Sequence, residues 1–284
     1  MWSATQAAQL DFGSTRAIAP SLAKPLLGQH LTANGYLTAA ISSFAERHRA
    51  YFFMGNFQQN IQAEPQIGDE PASLITDTAI DWVRRHRETD DWYLHVTYWD
   101  PHMDYLQSAE WTEAAAQSGP APEWPDQEAI DSHQDIYGPR TAQDLHYAGQ
   151  PRASRVPHNM PDQIRTRGDF KHLINGYDGA IHYWDHHFGL LLDALEEMGI
   201  RDEVAIVVSA DHGEAFGELG SYGEHGFASE PVHHIPLLIS WPGLSEDAQN
   251  SSDSSLLYNI DYAPTICELL GLEIPEKWQG ESFA

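Results

Sequence analysis

Cysteine and lysine are almost absent from this chain. Cys267 is the single cysteine among 284 residues, so no disulfide can close within the chain. That fits a reducing compartment and predicts a cytoplasmic protein. Cys267 lies in the apolar run APTICELLG, where it reads as a small buried hydrophobe. Lysine occurs only at Lys24, Lys171 and Lys277, and 15 Lys+Arg face 42 Asp+Glu, a formal net charge of −27. Such a charge argues against nucleic acid and anionic membranes as partners. Scattered acids with so little lysine also suit a halophilic surface, whose self-repulsion salt screens. No apolar run approaches the roughly 20 residues of a membrane helix. The opening MWSATQAAQLDFG has neither the basic nor the apolar part of a secretory leader. Oligomeric state is not legible.

Hydrophobic residues make up 42% of the chain, ample for one large α/β domain. Leu22, Leu26, Leu27 and Leu31 predict a helix over residues 20–34, which Pro25 delays or kinks and Asn34-Gly35 stops. Residues 36–41 read as a strand, 52–71 as loop, and 72–87 as an amphipathic helix. A strand over 93–98 leads into Asp100-Pro101-His102. Residues 103–162 show no steady period and predict a lid or insertion. The strongest helix spans 164–199, with apolar residues every three or four positions and Gly199 as its stop. Strands are predicted at 204–209 and 235–240, and a last helix at 261–270. Strands alternating with helices argue for an α/β fold with a mostly parallel central sheet, flanked by helices on both faces.

The stretch VAIVVSADHGEAFGELGSYGEHG, residues 204–226, is the most informative. A buried-type strand ends at Asp211-His212, where a carboxylate and an imidazole stand side by side before a glycine. That pair can ligate a divalent metal, and ligands of open α/β sheets collect at such strand ends.

ADHGE, GEHG and HHIPLLISWPG, with WYLHVTYWDPH and the helix NGYDGAIHYWDHHFGLLLDALEEMGI, resemble in order the sulfatase family of the alkaline phosphatase superfamily. The resemblance implies an alkaline-phosphatase-like fold over residues 1–284 and metal-dependent hydrolysis of a small-molecule or saccharide sulfate ester. Sulfatases also open with a strand ending in paired aspartates, then C/S-x-P-x-R, whose first residue becomes formylglycine. Neither motif is present, so the sequence resembles a sulfatase lacking its N-terminal strand and nucleophile loop.

By that resemblance, Asp211 and His212 hold the cation, calcium first, with manganese or zinc left open by the imidazole. His225 and His102 take catalytic roles at the ester. Arg47 and His48 stand near the family's substrate-binding cations. Glu214 and Glu218 are candidates to orient these groups. Phosphodiester or phosphonate ester hydrolysis is the nearest alternative activity, and a non-catalytic anion-binding protein the alternative class.

Overall fold

The computed structural model describes residues 25–43, 55–63, 70–102, 104–105, 107–138, 140–145, 159–243 and 251–284. The helices are α1 Leu27–Ala33, α2 Ala72–His86, α3 Ala109–Ser118, α4 Gln127–Ser132, α5 Arg167–Glu197, α6 Glu230–His233 and α7 Tyr262–Leu269. The strands are β1 Leu37–Ile41, β2 Gln59–Ile61, β3 Trp92–Val96, β4 Ile206–Ser209, β5 Ala215–Phe216, β6 Tyr222–Glu224 and β7 Leu237–Ser240. They fall into two compact units: Met1–Tyr98 with Ala194–Ile200 and Glu246–Ala284, and Trp99–Asp193 with Arg201–Ser245.

In the first unit, β1 is central to a parallel sheet of order β2-β1-β3. Its residues Thr38, Ala39, Ala40 and Ile41 are all buried, as a continuous apolar run in a covered parallel sheet requires. Helices α1 and α2 pack against β1. Strand β2 falls where a loop is expected; its residues, Gln-Asn-Ile, carry no strand pattern, and pairing with β1 alone defines it. Leu27 and Leu31 of α1 pack with Ala263 and Cys267 of α7, so the lone cysteine is core. Burial pushes its thiol up to about 11. Helix α1 begins two residues after Pro25, with Leu26 as its N-cap; residues 20–24 lie outside the described part.

The second unit is organised on α5. Phe170, Leu173, Ile174 and Ala180 bury one face of this helix against Tyr105, Ile130, Leu145, Met160, Ile164 and Tyr222. Two helices, α3 and α4, occupy part of the stretch expected to be a lid or insertion, and Asp126 caps α4 by accepting the Ala129 N–H. Strand β4 pairs with β7 antiparallel, from Ile206↔Ser240 to Ser209↔Leu237. Alternation of strands and helices predicts a parallel neighbour here. The chain instead returns through the short hairpin β5–β6 and the single turn α6, with no long crossover helix between them. Among the described residues, no helix is long and apolar enough to cross a membrane.

Candidate active site

Asp211 and His212 follow β4 directly. The Asp211 side chain is exposed and that of His212 is half-buried. Gly213 fixes the turn: its N–H donates to Val232 O at 2.7 Å, and a Cβ there would stand 2.0 Å from Pro231 O. His212 Nδ1 lies 2.8 Å from the Gly213 carbonyl, which can only accept, so the proton sits on Nδ1. Nε2 keeps its lone pair and stands 3.7 Å from Asp211 Oδ1. An imidazole nitrogen freed by a second hydrogen bond and a neighbouring carboxylate oxygen can share one cation. The donor set therefore fits part of a coordination shell. Among the described residues, no group of three or more His, Cys, Asp or Glu side chains is placed to hold an ion.

His225 follows β6. The β5–β6 register pairs Ala215 with Glu224, and one residue further it sets Glu214 opposite His225. Glu214 Oε1 accepts from His225 Nδ1 at 3.0 Å, with the Glu214 side chain 4% exposed. This hydrogen bond raises the His225 imidazole above its usual 6.5, against the opposing pull of burial. Glu224 Oε1 accepts from the N–H groups of His225 and Gly226, at 2.9 and 2.6 Å, and so holds the chain after β6. Glu218 closes its own turn by accepting the Phe216 N–H at 2.7 Å.

Three imidazoles converge here. His212 and His225 stack at 3.9 Å between ring centroids and 17° between planes. His102, from the turn after Trp99, meets His225 edge-on at 5.4 Å and His212 at 6.4 Å. Asp100 accepts a hydrogen bond from Gln107 Nε2. The structure thus brings Asp211, His212, His225 and His102 together within the second unit. Arg47 and His48 lie outside the described residues.

Behind the imidazoles sits a ring cluster in which the sequence offers no chemical signal. Tyr105 packs on Tyr177 at 5.7 Å, and Tyr177 on Phe216 at 4.8 Å. Burial first, then the charge of Glu214, pushes the Tyr177 hydroxyl up to about 12. The same two causes hold Tyr105 well above its usual value. Tyr177 reads in the sequence only as one position of a helical apolar stripe.

The sequence model of the family described as Sulfatase matches residues 1–272. The multifunctional alkaline phosphatase superfamily protein PehA of Trinickia caryophylli is 29% identical over 218 residues, which are 75% of this chain and 40% of PehA. The phosphonate monoester hydrolase of Silicibacter pomeroyi superposes with a TM-score of 0.62 at 20% identity, over 91% of this chain and 60% of that one. A protein solved in complex with its substrate D-glucosamine-2-N,6-O-disulfate superposes with a TM-score of 0.66 at 18% identity, over 90% of this chain and 63% of its own. The chain therefore spans 40% of the length of that curated relative. It shares the fold of these two solved structures.

Proposed function

The chain belongs to the sulfatase family, and from that premise we propose that Asp211, His212, His102 and His225 form part of a site that hydrolyses sulfuric esters. Asp211 and His212 hold one divalent cation. When bound, such an ion polarises an ester oxygen and offsets the charge that develops on it. His225 as the imidazolium, its Nδ1–H donated to Glu214, gives its second proton, on Nε2, to the departing alcohol oxygen and keeps the one on Nδ1. His102 presents a ring N–H to the ester oxygens. Arg47 and His48 are assigned to grip the anionic group. Calcium is proposed on the resemblance; the nitrogen donor of His212 keeps manganese and zinc as alternatives. The observation that carries this reading is the meeting of three imidazoles from separate segments beside an exposed aspartate.

A sulfated saccharide is the proposed substrate class, supported by the likeness to the protein solved with a glucosamine disulfate. Phosphonate monoesters or phosphate diesters are the second reading, supported by the likeness to the phosphonate monoester hydrolase. Residues 103–162 are proposed to shape access to the site, and residues 1–284 to act as one domain.

The test is hydrolysis of aryl sulfates and phosphonate monoesters with calcium or manganese, with Asp211→Ala as control. The sequence contains no C/S-x-P-x-R segment, so little or no turnover is expected from these residues alone. Turnover that survives Asp211→Ala contradicts the site. Metal-dependent sulfate binding without turnover of any ester supports the anion-binding reading.

A further inference from the structure

Glu214 is an expensive residue where it stands. Its side chain is 4% exposed, and its charge is felt at the Tyr105 and Tyr177 hydroxyls. Among the described residues, the side chain that hydrogen-bonds to it is His225. A buried carboxylate gives up hydration that an apolar residue of similar size would not need. The hairpin register adds to the constraint. Glu214 and His225 lie opposite each other one step past Ala215↔Glu224, before the irregularity at Phe216. The carboxylate therefore meets a ring nitrogen, not the backbone.

We infer that Glu214 is the positioning residue of His225: it holds the ring plane and keeps the proton on Nδ1, so that Nε2 alone faces the reacting oxygen. This rests on the reading of His225 as the group at the ester. Glu214 touches no substrate atom. It acts by removing one of the two ways the imidazole could present itself, as a buried acid does for a catalytic histidine in hydrolytic triads.

The test reads the His225 tautomer by long-range 15N–1H NMR above the pH at which the ring titrates, in the native chain, in Glu214→Leu and in Glu214→Gln. Leucine removes the acceptor at similar volume; glutamine keeps an acceptor oxygen. The native chain is expected to show the Nδ1–H form. Glu214→Leu should move the proton to Nε2 or divide it between the two nitrogens, and Glu214→Gln should retain the native form in larger part. Inorganic sulfate is the binding probe. Its affinity should fall about 10-fold or more in Glu214→Leu, by analogy with the 10–100-fold cost of losing a residue that orients a ligand. In Glu214→Gln it should stay within about 3-fold, a change worth under about 0.7 kcal/mol. An Nδ1–H form that persists in a folded Glu214→Leu overturns the inference. So does its absence from the native chain, which decides the matter even if the leucine variant does not fold. If the tautomer follows residue 214 but the native chain binds no sulfate, the ester-hydrolase reading falls and the positioning role stands.

Discussion

His225 carries the most direct consequence of burial and charge at the residue scale. Its hydrogen bond to Glu214 favours the protonated ring, so its value in the folded chain lies above the unfolded one. The sign follows from linkage. The stabilisation is fully present below about 6.5 and is lost as pH rises through the higher folded value. Sulfate affinity is expected to decline over the same rise, because the imidazolium attracts the anion and the neutral ring does not; calorimetric titration across pH 6 to 9 checks this. His95 behaves in the opposite sense. Burial lowers it from 6.5 to about 4, so the unfolded chain binds the proton first. Stability is therefore complete above 6.5 and falls as pH drops toward 4, by about 1–3 kcal/mol. His95→Gln should flatten urea-unfolding stability over that window, and an unchanged acid slope would contradict the assignment. In the sequence, the pairing of Asp211 with His212 is legible because the two are adjacent. The partnership of Glu214 with His225 is not, because it depends on a register set across a turn.

Helix α5 illustrates both the reach and the limit of periodicity at the scale of elements. The apolar repeat predicts residues 164–199, and the helix runs Arg167–Glu197, because a 3.6-residue period survives any detail of packing. Its close contacts are not encoded in that period. A Cβ at Gly176 would lie 2.1 Å from Asn159 O, while at Gly189 it would meet nothing within 4 Å. The Asn159 amide in turn donates to the carbonyls of Tyr105 and Gln107, which follow His102 in the chain. Gly176→Ala should therefore destabilise by about 1–3 kcal/mol and loosen the His102 turn. Gly189→Ala should be neutral or stabilise by up to about 1 kcal/mol. Equal effects in urea unfolding would contradict this packing. Strands β1, β3, β4 and β7 fall within or beside their predicted spans because each holds an apolar run. Strand β2 and the β5–β6 hairpin carry too few residues to show a pattern. The antiparallel pairing of β4 with β7 is equally hidden, since alternation along a strand says nothing about the direction of its neighbour.

Charge is the property of the whole molecule that composition makes plain. A formal net charge of −27 implies self-repulsion that weakens as the Debye length shrinks, from about 10 Å at 0.1 M salt to about 3 Å at 1 M. The melting temperature is expected to rise by several degrees between those salt concentrations, and a flat response by scanning calorimetry would remove the salt-adapted reading. Family membership spans almost the whole chain, whereas only part of each relative is covered, 40% of PehA among them. The sheet of β1, β2 and β3 lies in the first unit and the three imidazoles in the second.

The most direct measurement is the effect of Mn2+ on the histidine ring signals in proton NMR. An ion shared by Asp211 and His212 should broaden His212, His225 and His102 at substoichiometric manganese, and lose its effect in Asp211→Ala. Broadening that spreads evenly over all histidines, or that persists undiminished in Asp211→Ala, would contradict a cation held at this pair.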